Sequence, residues 1–175
     1  YSNSAYNKTY GDKSRVVGYV SIAFIKNSLE KHKEQTQMNN INTNFKISEK
    51  NQKILLSLAR KTISEYLSTG KKLTFNTDDK ELLQPAAVFV TLTKNSQLRG
   101  CIGTTVPIEP LYQAVINMSI SAATQDPRFT KVSLSELDKI KIEISVLSPM
   151  QKVSSAKEIQ ENVHGVVVKR GFNTG

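Results

Sequence analysis

Strict alternation of apolar and polar residues marks the clearest predicted strand of this chain. Residues 139–147, "KIKIEISVL", place four β-branched residues on one side, which is typical of a strand with one buried face. Apolar, β-prone residues also fill "AAVFVTLT" (86–93), and the turn-like "KNSQ" leads into "LRGCIG" (98–103) as a returning strand. "SRVVGYVSIAF" (14–24) and "HGVVVKR" (164–170) predict two more strands.

Apolar residues recur at helical spacing in two other segments. The first is bounded by Ser48, which suits an N-cap, and by Gly70, which stops the pattern. The second has Pro110 near its start and ends before Pro127, because a proline disfavours helical geometry in the residue that precedes it. Two sequences of capping-box form, "SLSE" and "SAKE", predict short helices. We therefore expect an α+β fold with a mixed or antiparallel sheet flanked by helices.

A polar, amide-rich stretch divides the chain. Residues 26–45 contain few large apolar side chains and are typical of a linker. We expect three parts: a strand-bearing piece at 1–25, the linker at 26–45, and a folded unit at 46–175. The first strand has no obvious partner in the residues that follow it. The folded unit stops just after a predicted strand, so we expect it to be C-terminally incomplete.

Charge and cysteine content narrow the function classes. The net charge is +9, but the basic excess lies before residue 73, without a basic run or interleaved aromatic residues, which disfavours a nucleic-acid partner. A single cysteine excludes an internal disulfide, and with two distant histidines it gives no zinc spacing, so neither a metal nor a cofactor is expected. No apolar run approaches the roughly 20 residues of a membrane span, and signal-peptide features are missing. We expect a soluble, cytoplasmic protein without a membrane partner.

Four of these segments together resemble a known family. They are "LRGCIG" (98–103), "AATQDPRF" (122–129), "EISVL" (143–147) and "HGVVV" (164–168). In this combination they are similar to the AMMECR family of conserved proteins, from about residue 46 to the end. The resemblance implies an AMMECR-like α+β fold, but it assigns no reaction. Members of that family continue for several tens of residues past the point where this chain stops.

The N-terminal piece resembles a different family. "YSNSAYNKTYGDKSRVVGYVSIAF" (1–24) is similar to the C-terminal end of Memo-family proteins, which are related to extradiol dioxygenases. Fusions of Memo-like and AMMECR-like units occur in the bacterial AmmeMemoRadiSam system, which also includes a radical-SAM protein. The resemblance therefore implies that the chain is a fragment of such a fusion. A Memo-like domain or protein and a radical-SAM protein are the implied partners.

Cys101 is the candidate nucleophile of this chain. Gly100 and Gly103 allow a tight backbone and accessible amide N–H groups, which suits oxyanion stabilisation, and Arg99 is placed to stabilise a thiolate. A free cysteine is, however, also among the most buried residue types and packs as a small apolar side chain. Arg99 and Cys101 share a face only if the strand stays extended through Gly100. The sequence leaves both interpretations open.

His164 is the candidate base, because it begins a predicted strand whereas the other histidine lies in the linker. On the sequence alone, a structural histidine with satisfied hydrogen bonds is the favoured explanation. Both Cys101 and His164 fall in family motifs, which raises both candidates without separating folding from catalysis.

"DPRF" offers a binding function or a structural one. Asp126 and Arg128 are expected either to line a cleft, with Arg128 binding an anionic substrate bidentately, or to pair with each other and hold a turn. Two function classes follow from the sequence. One is an enzyme-type domain with a cleft cysteine that acts on a small or protein-borne anionic substrate. The other is a non-catalytic module that docks onto a Memo-like partner.

Overall fold

A computed structural model describes residues 15–26, 47–153, 155–159 and 164–170 of the chain. Its helices are α1 (Glu49–Thr69), α2 (Lys80–Leu83) and α3 (Leu111–Thr124), with short 3-10 helices at Leu134–Lys139 and Ala156–Glu158. Its strands are β1 (Arg15–Lys26), β2 (Ala87–Lys94), β3 (Gln97–Gly103), β4 (Ile140–Leu147), β5 (Gln151–Val153) and β6 (His164–Arg170).

The strands form one mixed sheet. β2 is central to an antiparallel unit, with β3 on one side and β4 on the other. The full order is β3-β2-β4-β1-β5, and β6 also pairs with β1. All three pairings of β1, with β4, β5 and β6, are parallel. The predicted α+β class with a mixed, partly antiparallel sheet is therefore confirmed.

The partners of the first strand come from the far end of the chain. β1 pairs with β4 from Arg15↔Glu143 to Tyr19↔Leu147, and with β6 from Val20↔His164 onwards. Parallel neighbours require a long crossover, so adjacent residues carry no signal for such a pairing. The predicted linker at 26–45 lies, apart from Lys26, outside the described residues.

The helical prediction for α1 is accurate at both ends. The Ser48 hydroxyl accepts a hydrogen bond from the backbone N–H of Asn51, and Gly70 closes the helix with a left-handed φ of 71°. The apolar stripe of α1 is buried at Leu55, Ala59 and Ile63. Burial of one such large aliphatic side chain contributes about 1.5–3 kcal/mol, so this stripe is the main attachment of the helix.

The main core lies between the helices and one face of the antiparallel unit. β2 and β4 alternate buried and half-buried residues, and their buried sides contribute Val88, Val90, Ile142 and Ile144. Helices α1 and α3 contribute the opposite wall of this cluster. The other face of the antiparallel unit carries the half-buried positions, and this face holds the candidate site. No described helix combines the length and apolar character needed to cross a membrane.

Candidate functional site

Cys101 lies on the sheet face that points away from α3. The preceding residue, Gly100, is buried, and a Cβ atom there would lie 2.1 Å from the carbonyl oxygen of Ala122 in α3. Because side chains alternate along a strand, the Cys101 thiol is on the opposite face, where it is half-buried. The thiol is therefore not packed beneath the helices as a core residue.

A threonine hydroxyl is the near neighbour of this thiol. Thr91 on β2 stands directly opposite Cys101, and the two side-chain atoms, Oγ1 and Sγ, are 3.2 Å apart. Thr91 also pairs with Glu143 on β4. Cys101, Thr91 and Glu143 thus form a row across three strands on one face. No pattern in the sequence points to Thr91 or Glu143, because only the strand register puts them in this row.

The backbone of Cys101 is held by two side chains of the "DPRF" segment. Its N–H donates to Asp126 Oδ2 at 2.8 Å, and its carbonyl oxygen accepts from Arg128 Nη2 at 3.3 Å. The expected oxyanion-stabilising role does not extend to the Cys101 N–H, because this group already donates its hydrogen bond to the Asp126 carboxylate. Both backbone groups of Cys101 point away from β2, so the Thr91–Cys101 pair is a non-hydrogen-bonded one, with closely spaced side chains.

Asp126 and Arg128 form the ion pair that the structural interpretation predicts. Arg128 donates through Nε to Oδ1 at 2.9 Å and through Nη2 to Oδ2 at 2.8 Å, and its backbone N–H adds a bond of 3.1 Å to Oδ1. Asp126 is only 5% exposed. Hydrogen bonds from the Arg128 side chain, and then from the N–H groups of Cys101 and Arg128, hold the pKa of Asp126 well below its usual value despite burial.

This pairing changes the role expected of Arg128. The Nε and Nη2 groups of its guanidinium already donate to Asp126. These two groups are therefore not available for the expected bidentate binding of a substrate. Nη1 donates to no acceptor among the described residues, and the side chain is 55% exposed above the Phe129 ring, at 5.5 Å from the ring centroid. Arg128 therefore offers one free nitrogen to an anion from solvent.

Arg99 is engaged away from the thiol. It donates to the carbonyl oxygens of Thr130 at 2.7 Å and Lys131 at 3.1 Å, and to Glu136 Oε1 at 2.7 Å. The reason is a β-bulge. Leu92 pairs with Gly100 while Thr93 pairs with Leu98, so Arg99 falls outside the regular alternation of the strand. The Arg99 guanidinium is thus held by Glu136 and by two carbonyl oxygens of the segment after Phe129.

Glu136 is the centre of this second cluster of charged side chains, a role beyond the helix cap that the sequence predicts for it. The residue also accepts a 2.6 Å ion pair from Lys94 and a bond from the backbone N–H of Ser133. The Lys94 contact is the largest cause of a lowered pKa at Glu136, and Arg99 adds to it. The predicted capping box is present, and the same carboxylate also anchors the β2–β3 hairpin.

The two glycines serve packing rather than amide exposure. Gly100 allows β3 to approach the backbone of α3, as the contact with Ala122 shows. A Cβ at Gly103 would lie 2.3 Å from Phe89 Cγ and 2.5 Å from the Val88 carbonyl oxygen. Both positions therefore require the smallest side chain for steric reasons.

His164 is not brought to Cys101. It begins β6, whose backbone pairs with β1, and the order β3-β2-β4-β1 places three strands between them. Four interstrand steps correspond to roughly 19 Å across the sheet. Its side chain is outside the described part of the chain. Among the described residues, no three His, Cys, Asp or Glu side chains gather as a metal site.

Comparison with known proteins identifies the family. The AMMECR1 family model matches residues 56–175. Protein MK0488 of Methanopyrus kandleri is 45% identical over 130 residues, which cover 69% of this chain and 63% of that protein. Protein PYRAB00100 of Pyrococcus abyssi is 40% identical over 141 residues, covering 74% of this chain and 69% of that protein.

A solved structure agrees with this assignment. The crystal structure of the uncharacterized protein PH0010 from Pyrococcus horikoshii matches with a TM-score of 0.58 and 44% sequence identity. The match covers 60% of this chain and 55% of that chain. The chain thus spans less than two thirds of the length of this protein and of the M. kandleri relative. From the family model and these identities, the chain belongs to the AMMECR1 family.

Proposed function

We propose that the domain has an enzyme-type function, in which the Cys101 thiol acts on a small or protein-borne anionic substrate bound at the open sheet face. The observation that supports this most directly is the exposed Arg128, whose free Nη1 belongs to the same guanidinium that contacts the Cys101 carbonyl oxygen. One rigid unit therefore links an anion-binding nitrogen to the residue that carries the thiol.

The surroundings of Cys101 support chemistry at sulfur rather than at the backbone. Asp126 and Arg128 fix the position of the Cys101 main chain, and Thr91 supplies a hydroxyl 3.2 Å from Sγ. A hydroxyl at that distance stabilises a thiolate by donating to it, and the thiolate is the reactive form of cysteine. A Memo-like domain and a radical-SAM protein are the partners that we propose for this reaction.

Alkylation kinetics test this proposal on the whole 175-residue chain. Iodoacetamide should modify Cys101, and phosphate or acetate should slow the modification because an anion on Arg128 covers the thiol. Arg128→Gln should lose this protection, whereas Lys131→Gln, on the same exposed segment, should keep it. An unreactive thiol in the native chain, or equal protection in both variants, would contradict the proposal.

A second candidate, the interaction module, is favoured by a separate surface. Val106 is 51% exposed and Ile108 78%, and Leu83, the last residue of α2, is 41% exposed. The loop and the end of α2 are joined by the Pro85–Pro110 bridge and by the bond from Leu111 N–H to the Gln84 carbonyl oxygen at 2.9 Å. Exposed apolar residues grouped in this way are typical of protein contact surfaces.

Binding to a purified Memo-like protein distinguishes the two candidates. If the module interpretation holds, Ile108→Ser weakens binding while Cys101→Ser does not. Leu134→Ser is the matched control, because Leu134 is also exposed, at 49%, but lies on the 3-10 helix before β4. Equal binding by Ile108→Ser and Leu134→Ser would refute this use of the loop.

A further inference from the structure

Phe89 is a large aromatic side chain on the sheet face that carries the Cys101 thiol. It lies on β2 at a half-buried position, two residues before Thr91 and on the same side of the strand. The two described core clusters neither contain Phe89 nor pack against it, and the described ring–ring contact does not involve it. Among the described residues, core packing therefore gives no reason for an aromatic ring at this position.

A glycine opposite Phe89 lets the ring lie toward the edge strand β3. Phe89 pairs with Gly103 on β3 and with Ser145 on β4. A Cβ atom at Gly103 would lie 2.3 Å from Phe89 Cγ and 2.4 Å from Cδ1, so the ring occupies the space of the missing side chain. The ring thus leans over the strand that carries Cys101. We call Phe89 and Gly103 the aromatic platform.

The aromatic platform and Arg128 lie on two sides of the Cys101 thiol. Cys101 and Gly103 are two residues apart on β3, which places them on one face, about 7 Å from each other along the strand. Arg128 contacts the carbonyl oxygen of Cys101 through Nη2, and its side chain is 55% exposed. A ligand that touched both the ring and the guanidinium would therefore lie across the thiol.

We propose that the substrate class of this site is an aromatic ring joined by a short chain to an anionic group, with the ring on the aromatic platform and the anion on Arg128. Aromatic pairs in offset or edge-to-face arrangements gain energy beyond the area that they bury, so Phe89 favours an aromatic group over an aliphatic one of similar size. The charge of Arg128 selects the anion. The inference rests on the proposed function for the anion site at Arg128, and it adds Phe89 as the residue that determines specificity.

Binding is measured by NMR titration of the whole chain carrying Cys101→Ser, so that the outcome does not depend on thiol reactivity. The probes are 3-phenylpropanoate, 3-cyclohexylpropanoate and propanoate, which share one carboxylate and differ in the ring. We expect 3-phenylpropanoate to bind about threefold more tightly than 3-cyclohexylpropanoate, as one aromatic pair predicts. Arg128→Gln should weaken the binding of both.

Variants of Phe89 test whether this ring is the cause of the preference. Phe89→Leu should abolish the preference for the aromatic probe, whereas Phe89→Tyr should keep it. Phe75→Leu is the matched control, because Phe75 is also half-buried but its ring contacts Tyr112, with the centroids 5.7 Å apart. The preference should survive in this control.

Two results would overturn the inference alone. One is equal binding of the two ring probes while Phe89 is present, and the other is an unchanged preference in a folded Phe89→Leu variant. If Arg128→Gln leaves the binding of every probe unchanged, the anion site of the proposed function fails as well.

A tripeptide that ends in phenylalanine carries the same ring and carboxylate at the end of a polypeptide. Tighter binding of this tripeptide than of 3-phenylpropanoate would support the inference with a protein C-terminus as the ligand. Weaker binding of the tripeptide would support it with a free small molecule.

Discussion

Asp126 is the residue on which the Cys101 region depends most. Its buried carboxylate accepts hydrogen bonds from the strand at Cys101 and from both the backbone and the side chain of Arg128. Asp126→Asn keeps the shape but puts an amide N–H₂ among these donors. We expect a loss of about 2 kcal/mol in the free energy of unfolding, measured with urea. Asp138→Asn, at an exposed position, should change it by less than about 0.5 kcal/mol.

The difference in unfolding free energy between the native chain and Asp126→Asn should depend on pH in a defined way. Because the folded state lowers the pKa of Asp126, its stabilisation is complete above the unfolded value of about 3.9 and is lost as the pH falls below it. The difference in stability between the native chain and Asp126→Asn should therefore be constant near neutral pH and shrink in strong acid. A difference that grew as the pH fell would contradict this role.

Gly100, at the contact between β3 and α3, should tolerate substitution less well than Gly70. In Gly100→Ala the new Cβ meets a backbone carbonyl at 2.1 Å, so β3 and α3 must separate, at a cost of about 3 kcal/mol in unfolding free energy. Gly70→Ala is the comparison. It meets no neighbour and strains only a left-handed φ of 71°, which costs about 1 kcal/mol. Thermal unfolding of both variants checks this order.

The Thr91 hydroxyl should raise the reactivity of the Cys101 thiol. Thr91→Val preserves the branched shape but removes the hydroxyl near Sγ, so alkylation of Cys101 near neutral pH should slow about fivefold, the equivalent of one hydrogen bond. Thr93→Val, on the same face of β2, is the matched control and should not change the rate. Thr91→Ser, which restores a hydroxyl, should recover most of it. Equal rates in all three variants would exclude Thr91 from the site.

At the level of elements, α1 and α3 each bury one hydroxyl, those of Thr62 and Ser119, that has no hydrogen-bond partner among the described residues. Burial of an unpaired hydroxyl is costly. Ser119→Ala should therefore leave the free energy of unfolding unchanged or raise it by up to about 1 kcal/mol. Ser121→Ala on the same helix is the control for the change in helix propensity from serine to alanine. The Ser121 hydroxyl, in contrast, donates to Gln125 at 2.9 Å. A larger loss for Ser119→Ala than for Ser121→Ala would indicate an unrecognised partner.

The elements themselves were largely predictable. The strand at residues 139–147 and the helix between Ser48 and Gly70 follow patterns that repeat every two to four residues. Both elements can therefore be predicted from the sequence without tertiary information. The bulge at Arg99 could not be predicted from the sequence, because it arises where the pairing of β2 with β3 shifts between Leu92 and Thr93. Because of this irregular pairing, Arg99, a predicted site residue, bonds to Glu136 instead of flanking the thiol.

For the whole molecule, we expect a chain without β1 to fold. The antiparallel strands β2, β3 and β4 and the buried faces of α1 and α3 that pack on them all lie between Ile47 and Leu147. A chain of residues 47–175 should therefore still unfold cooperatively in urea and keep its helical circular dichroism. Removal of β1 uncovers one side of β4, so a modest decrease in stability is expected. A non-cooperative transition would show that β1 belongs to the folding unit.

The sequence by itself determined the fold class, the main strands and helices, and the family, because these depend on local periodicity and on short contiguous motifs. Only the tertiary structure decided which of the candidate site residues lie together and which partners their side chains bond to. It joined Cys101 to Asp126, 25 residues away, and Arg99 to Glu136, 37 residues away, and it placed His164 on a distant strand. Such contacts depend on strand order, register and one bulge, which arise from the packing of whole elements and leave no pattern among neighbouring residues.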